Sequence, residues 1–227
     1  IELNNLNSLN NNTGFDIIIA KTLKSYVDLF LNKKIDKNQE DFGKLSLVTM
    51  AFQECYLDQK KSDLYFLNLL DENEGDYSRY LYFYITNLIN KKKFNELQNI
   101  SAKIDLLNTN LLVSQTKKWI DDEQYYNFTD FFSCQNENHL ISEFLFLIAN
   151  LYSSQEEFKL SNFYLYISQF LNEKFYFNNS LLSENYILSN NYVKAKQTLK
   201  KLNRKEDVYK WYNICLLYTS PSPRDDE

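Results

Sequence analysis

The first 214 residues contain no proline, and the whole sequence contains only three glycines. Without proline, nothing in this stretch forces a break in a helix. Gly14, Gly43 and Gly75 are isolated from one another, so the glycine-rich loops that cradle nucleotide phosphates are missing. The sequence therefore permits long helices and argues against a nucleotide-binding enzyme.

Residues that commonly carry catalysis or bind metals are also scarce. His139 is the only histidine, so Ser-His-Asp, Cys-His and multi-histidine metal sites lack their components, and we interpret it as a surface residue. Cys55 and Cys134 are the only thiols before residue 215, and we expect two small buried hydrophobic side chains and no disulfide framework. An EF-hand loop that began at Asp71 would need Gly at its sixth position and Glu at its twelfth, where the sequence has Asp76 and Tyr82. The acidic segment 71–76 therefore predicts a helix cap and turn. We expect no catalytic residue, no cofactor and no metal.

Composition places the chain among folded proteins without a membrane span. It is 44% hydrophobic and 16% aromatic, which excludes a disordered segment. No apolar run approaches the roughly 18–20 residues needed to cross a bilayer. The compartment stays open between the cytoplasm and the periplasm or envelope.

Both ends predict a fragment, of the kind that metagenomic sequencing yields. The chain begins at Ile1 without an initiator Met, so we take the natural N-terminus to be missing. Residues 215–225 resemble one reading frame of a sequencing adapter, and both prolines of the protein lie there. We therefore interpret 215–227 as a non-native tail, the alternative being a genuine Ser-Pro tail. Without it, the formal charge changes from −5 to −3.

The spacing of apolar residues predicts helices from one end of the chain to the other. Residues 1–214 are expected to form one domain of roughly six helical hairpins, because no long linker separates them. The predicted helices cover residues 14–33, 45–57, 63–70, 77–90, 94–107, 111–121, 125–132, 139–153, 158–171, 179–188, 192–202 and 206–214.

A self-match at an offset of 34 residues is the strongest pattern in the sequence. Apolar residues pair with apolar residues and small residues with small ones, and only the first of the seven pairs fails. The first copy contains Leu145, Ile148, Ala149, Tyr152, Phe158, Ser161 and Leu165, and the second contains Asn179, Leu182, Ser183, Tyr186, Tyr192, Ala195 and Leu199. A fixed period of this length is typical of helix-turn-helix solenoids.

Residues 145–202 resemble two tetratricopeptide repeats. That family has a large, a small and an aromatic residue in order on its first helix, as at Leu145, Ala149 and Tyr152. Weaker units share this register at Leu81, Ile85, Leu88 and Phe94, and at Leu112, Thr116, Trp119 and Tyr125. Bulky residues at Ile85, Leu97 and Phe128 and the missing prolines depart from the family pattern. The resemblance implies an all-α, right-handed superhelical solenoid of antiparallel hairpins with degenerate repeats.

The chain also resembles the middle of long tetratricopeptide-repeat proteins of AT-rich alphaproteobacteria, a likeness that carries no known chemistry.

The resemblance further implies a concave groove lined by first-helix side chains. Carried onto this sequence, the groove positions are Arg79, Tyr82, Thr86, Asn110, Val113, Lys117, Glu143, Phe146, Asn150, Phe177, Ser180 and Glu184. Asn150 matches the family's carboxylate clamp, but Phe146 stands where that clamp has lysine, so this specificity is not expected. The implied function is a non-catalytic protein-protein interaction scaffold that binds a peptide or protein partner in the groove.

Two other functions remain open at this stage. The chain could be an accessory helical-repeat segment of a larger enzyme or of an envelope or secretion assembly, since either needs the same scaffold. It could also be an RNA-binding helical repeat, for which the basic clusters at 91–93 and 200–205 would serve. Because the chain is net acidic, we prefer solvated helix ends for these clusters and expect no nucleic acid partner.

Aromatic residues are more numerous than one buried stripe requires. They cluster at 77–84 and at 163–166. Packing of both helix faces between hairpins is one explanation, and an aromatic groove for a peptide is the other.

Overall fold

The computed structural model describes residues 12–36, 39–58, 61–70, 78–102, 104 and 111–201. Across these ranges the secondary structure is helical, without strands, as the sequence predicts. None of the helices in them combines the length and apolar character that a membrane span requires. The predicted turn at 71–76, the helix predicted at 206–214 and the adapter-like segment 215–227 lie outside the described residues.

The described ranges contain eleven α-helices. A 3-10 turn, Tyr176–Asn178, leads directly into α10. The helices are α1 (Asn12–Asn32), α2 (Lys44–Tyr56), α3 (Lys61–Leu70), α4 (Ser78–Asn90), α5 (Phe94–Ser101), α6 (Leu111–Asp121), α7 (Tyr126–Phe131), α8 (Glu137–Ser154), α9 (Phe158–Leu171), α10 (Asn179–Leu188) and α11 (Tyr192–Leu199).

Most helix boundaries lie within two residues of the predicted ones, and the clearest difference is at α5. The apolar pattern predicts that this helix reaches residue 107, but it ends at Ser101. Ile104 prolongs the apolar spacing beyond that point, although its N–H bonds to the Ser101 carbonyl in a turn at 3.2 Å. Apolar spacing alone therefore overestimates the length of this helix.

One turn geometry recurs at the ends of α4, α6, α8 and α10. Each turn has a non-glycine residue in the left-handed region, at Lys92, Glu123, Glu156 and Asn190, with φ between 56° and 61°. In each, the next residue's N–H bonds to a carbonyl five positions back, at 2.7–3.0 Å. These bonds define the Schellman motif, which satisfies the last carbonyls of a helix. The four turns follow one another at intervals of about 31 to 34 residues, close to the period of the sequence repeat.

Two of these helices also carry a buried asparagine that bonds to the preceding helix. Asn185 of α10 donates to Ser161 Oγ at 2.7 Å and to Asn162 Oδ1 at 2.9 Å, both on α9. Asn87 of α4 donates to Asp63 Oδ1 of α3 at 2.7 Å. Each asparagine immediately precedes the residue whose carbonyl accepts the long Schellman bond. The turn and the asparagine together fix how each of these helices packs on the one before it.

Packing divides the chain into two compact units, Ile1–Phe144 and Leu145–Glu227. Within unit 1, α2 packs on α3, α3 packs on α4, and α4 packs on α5, α6 and α7. Its core is rich in aromatic rings: the centroid of Phe83 lies 5.1 Å from that of Phe52 and 4.6 Å from that of Phe132. Edge-on and tilted ring pairs of this kind contribute beyond their buried area.

Within unit 2, α10 packs on α9 and on α11. Its core contains Phe146, Ala149, Leu165, Leu181, Leu182, Tyr186 and Ala195. The small residues paired by the sequence self-match are buried alike: Ala149 and Ser183 are both fully buried, and Ser161 and Ala195 are at most 3% exposed. The small residues of the pattern therefore lie where helices approach each other, which is the role their size predicts.

The expectation for the cysteines is wrong. Cys55 and Cys134 are buried as expected, but they are joined in a disulfide across 79 residues of sequence, with their Cα atoms 5.7 Å apart. Cys55 lies in the last turn of α2 and Cys134 in the turn before α8. Separation along the sequence gives no information about spatial proximity, so two isolated cysteines were not recognisable as a pair.

Candidate protein-binding surface

The two aromatic clusters of the sequence have different environments. On α4, packing accounts for Tyr80, Tyr82, Phe83 and Tyr84, which are all buried, while Tyr77 lies outside the described residues. On α9, Phe163 is 55% exposed and Tyr166 is 49% exposed. Packing therefore explains the described part of the first cluster and, in the second, only Tyr164, which packs against the core of unit 2.

The exposed residues of α9 form a continuous stripe. Leu160, Phe163, Tyr166 and Phe170 follow one another at helical spacing, and Phe170 is the most exposed of them at 77%. At a rise of about 1.5 Å per residue, the stripe is about 15 Å long. We call these four residues the α9 stripe. The opposite face of α9, with Ser161, Leu165 and Ser168, is buried, so the helix is held firmly on one side.

Tyr166 connects the α9 stripe to the core of unit 2. Its hydroxyl forms a hydrogen bond with the hydroxyl of Tyr186 on α10. Burial raises the pKa of the Tyr186 phenol, and the bond to Tyr166 raises it further. The Tyr186 phenol therefore stays neutral at physiological pH, and the bond fixes the orientation of Tyr166.

The α9 stripe carries no charge. After Lys159, α9 has no charged residue as far as its end at Leu171, and charged residues are found only beyond the two ends of the stripe. Glu156, Glu157 and Lys159 lie at one end, with Glu173 and Lys174 at the other. Depletion of charge, enrichment in aromatics and a charged rim are the compositional marks of a protein interface.

The groove positions implied by the resemblance divide by burial. Tyr82, Thr86, Val113, Glu143, Phe146 and Phe177 are buried, so in this conformation they have no surface to offer a partner. Asn110 lies outside the described residues. Arg79, Lys117, Asn150, Ser180 and Glu184 are partly exposed. In unit 2, the groove positions that reach the surface are therefore the polar residues Asn150, Ser180 and Glu184.

Two groove positions of unit 1 bind each other. Arg79 donates from Nε and Nη2 to the two carboxylate oxygens of Glu143, at 2.8 and 2.7 Å. The guanidinium also lies over the Phe83 ring, 5.6 Å from its centroid. Burial raises the pKa of the Glu143 carboxyl, while the charge and hydrogen bonds of Arg79 oppose that shift. The two side chains thus bind each other within unit 1.

The basic cluster at 91–93 is engaged within unit 1. Lys91 and Lys93 both form ion pairs with Asp63, at 3.2 and 2.8 Å. Burial raises the pKa of Asp63, but hydrogen bonds from Lys93 and Lys91 and their charges outweigh it and bring the pKa below its ordinary value. These lysines bridge α3 to the end of α4, so a nucleic acid would have to compete with Asp63 for them.

Two adjoining clefts lie beside α1 and α2, with volumes of about 240 and 620 Å³. Asp36, Gln39, Glu40 and Ser46 line both. His139 lies elsewhere and accepts a hydrogen bond from the Ser133 N–H at 3.0 Å. Within the ranges that the structure describes, no group of three or more His, Cys, Asp or Glu side chains is arranged to hold a metal ion. The clefts offer polar groups, but neither sets a histidine base beside a nucleophile.

Comparison with known proteins does not identify the chain. No protein family matches the sequence, no curated protein matches it, and no solved structure matches the fold.

Proposed function

We propose that the chain is a non-catalytic protein-interaction scaffold, a right-handed superhelical solenoid of tetratricopeptide-like hairpins. Its ligand is an amphipathic helix of a partner protein, and the binding site is the α9 stripe. The observation that carries the proposal is the uncharged row of exposed Leu160, Phe163, Tyr166 and Phe170. Leaving large apolar and aromatic side chains in water is unfavourable, so a contiguous row of them marks an interaction site.

The shape of the stripe favours a helical partner. Its side chains form a straight ridge about 15 Å long on one helix, and a second helix can pack such a ridge into its own grooves. An amphipathic helix presents apolar residues at matching three- and four-residue spacing. Because the inner face of α9 is packed, the ridge is already ordered before binding. Little conformational entropy is then lost on association, so a small surface is sufficient for binding.

The repeat architecture is supported by the recurring turns and asparagines. Schellman turns about 31 to 34 residues apart end helices in both units, and Asn87 and Asn185 bond in the same way to the preceding helix. A hairpin that repeats in sequence and in its turn is the building block of a solenoid. In such proteins the repeats present surfaces to other proteins while each repeat packs only on its neighbours.

The test is selection of displayed peptides against the full chain. A phage library of random 16-residue peptides is selected on the wild-type protein, and the selected peptides are measured on a Phe163→Glu/Phe170→Glu variant. We expect apolar residues at helical spacing in the selected peptides and at least a tenfold loss of affinity for the variant. The matched control is Leu188→Glu/Val193→Glu, which alters two exposed apolar residues of unit 2 outside α9 and should leave affinity unchanged.

Three other results would each overturn either the proposed site or the proposed partner. Selected peptides that bind the Phe163→Glu/Phe170→Glu variant as tightly as the Leu188→Glu/Val193→Glu control would exclude the α9 stripe as their binding site. Loss of binding in Asn150→Ala/Glu184→Ala, with the α9 variant unaffected, would instead assign the site to the groove implied by the resemblance. A wild-type dimer in light scattering that becomes monomeric in the α9 variant would show that a second copy of the chain covers the stripe.

A further inference from the structure

The disulfide joins two turns of unit 1 that other contacts already hold together. Cys55 and Cys134 lie 79 residues apart in sequence, with their Cα atoms at 5.7 Å. Next to them, Gln135 Nε2 donates to the Cys55 carbonyl at 3.3 Å, and the Tyr56 hydroxyl donates to Glu137 at 2.6 Å. The rings of Phe52 and Phe132 pack 5.9 Å apart on the same two segments. The fold itself therefore keeps the two sulfurs in bonding range.

Burial decides what kind of disulfide this is. Both cysteines are only 1% exposed, as are Phe52 and Phe132. Thiol-disulfide exchange needs a thiolate to reach one sulfur, and a buried bond denies that access. Catalytic and regulatory disulfides are accessible, whereas shielded ones are structural. The bond in unit 1 has the environment of a structural disulfide.

We propose that Cys55–Cys134 is a permanent structural disulfide and that this chain folds and works in an oxidising compartment. Such bonds persist in the bacterial periplasm, the secretory pathway and outside the cell, and they are rare in a reducing cytosol. In forming the bond, the two thiols lose two protons and two electrons. A thiol-disulfide oxidoreductase in its disulfide form accepts them through a mixed disulfide and leaves as the dithiol. The inference is independent of the proposed function, but it places any partner in the same compartment.

The competing possibility is a cytosolic protein with two buried free thiols. Buried cysteines are common in cytosolic cores, where they behave as small hydrophobic residues. Counting the free thiols at Cys55 and Cys134 distinguishes the two states.

The first experiment is thiol trapping of the chain in its source cells. Cells are quenched with acid, and the protein is denatured in guanidinium with N-ethylmaleimide and without reductant. Its intact mass is then measured by mass spectrometry. We expect no maleimide on Cys55 or Cys134 without reduction, and one on each after reduction. Maleimide on both residues without reduction would overturn the proposal, and peptide mapping identifies the labelled residues.

Thermal unfolding of the purified full chain is the second experiment. The disulfide closes a loop between residues 79 apart in sequence. In the chain-entropy account, breaking a disulfide that closes a loop of this length lowers Tm by roughly 10 °C. We expect that shift on reduction and in the Cys55→Ala/Cys134→Ala variant, while Cys215→Ala leaves Tm unchanged. A double variant as stable as the wild type would show that the bond is dispensable and would contradict a structural role. If the double variant does not fold, reduction of the wild-type protein gives the same comparison.

Discussion

Arg79 and Glu143, separated by 64 residues in sequence, meet in a two-pronged ion pair inside unit 1. The side chain of Glu143 is 2% exposed and that of Arg79 is 16% exposed. Both residues are among the groove positions that the resemblance to tetratricopeptide repeats implies. The negative charge of Glu143 is therefore paired with the positive charge of Arg79 inside the protein itself. A buried charge is tolerated when it is paired in this way, and it becomes costly when its partner is removed.

Arg79→Met should destabilise the protein by about 3 kcal/mol, because it leaves the Glu143 carboxylate buried without a cation. The thioether side chain retains much of the apolar contact with Phe83, so the loss reports mainly on the charge. Urea unfolding followed by circular dichroism measures it. The matched control is Arg79→Met/Glu143→Met, in which neither charge remains and most of the loss should be recovered. A cost below about 1 kcal/mol for the single variant would mean that Glu143 is protonated or hydrated in the folded state.

Local features of this fold were predictable from sequence, and contacts between distant residues were not. The periodicity of Phe158 to Leu171 predicts α9 with both ends correct, since amphipathic spacing directly reports which residues face a core. The same spacing cannot tell whether Phe163 faces a neighbouring helix or solvent, because both sides of a helix in a repeat protein can be apolar. The disulfide and the Arg79–Glu143 pair depend on which distant segments meet. A single sequence carries no signal for such pairings.

The Schellman turns were also invisible in the sequence. These turns commonly have glycine in the left-handed position, and the sequence has lysine, glutamate and asparagine there. Without glycine as a marker, the turns could be located only by the end of each apolar pattern. The bond from Asn191 N–H to the Tyr186 carbonyl, at 2.7 Å, became apparent only in the structure.

Asp63 should make the protein more sensitive to acid. Hydrogen bonds and charges from Lys93 and Lys91 hold the pKa of Asp63 below its ordinary value of 3.8 despite the opposing effect of burial. A carboxyl group whose pKa is lower in the folded state stabilises the protein above its unfolded pKa, and this contribution disappears as the pH falls through the folded pKa. We therefore expect the contribution to be complete at neutral pH and to decline below about pH 4.

The variant Asp63→Asn tests this dependence. It should unfold more readily than the wild type at pH 7, with the difference shrinking as the pH is lowered toward 2. Urea midpoints at five or six pH values give the comparison, and Asp121→Asn is the control because Asp121 forms an exposed ion pair with Lys117. Surface pairs contribute little, so the control should follow the wild-type curve closely. A constant difference between Asp63→Asn and wild type at every pH would point to lost hydrogen bonds in place of a titrating charge.

Glycine in the left-handed position of a Schellman turn should stabilise this protein. Glu156 has φ 61°, a conformation that costs residues with a Cβ roughly 1–2 kcal/mol and glycine almost nothing. We expect Glu156→Gly to raise the free energy of unfolding by about 0.5–1 kcal/mol, after allowance for the greater freedom of glycine in the unfolded chain. Asn190→Gly should give less, because asparagine tolerates this region better.

The neighbouring position is the control for that substitution. Glu157 has φ −81°, where glycine has no advantage and adds only unfolded-state entropy. Glu157→Gly should therefore lower stability while Glu156→Gly raises it, in urea unfolding under the same conditions. The same sign for both variants would contradict the assignment of residue 156 to the left-handed turn.

The two tyrosines paired by the sequence repeat should differ in their contribution to stability. Tyr186 is 6% exposed and belongs to the core of unit 2, whereas Tyr152 is half-buried and stacks on Tyr164 with ring centroids 5.6 Å apart. Truncating a core aromatic residue to alanine costs roughly 3–5 kcal/mol, because it removes buried surface and leaves a cavity. We expect that cost for Tyr186→Ala and about half of it for Tyr152→Ala, measured by urea unfolding. Tyr186→Phe retains the ring and loses only the hydroxyl bond to Tyr166, so it should cost about 1 kcal/mol. If Tyr152→Ala proved the more damaging of the two alanine variants, the first copy of the repeat, and not the second, would supply the main core of unit 2.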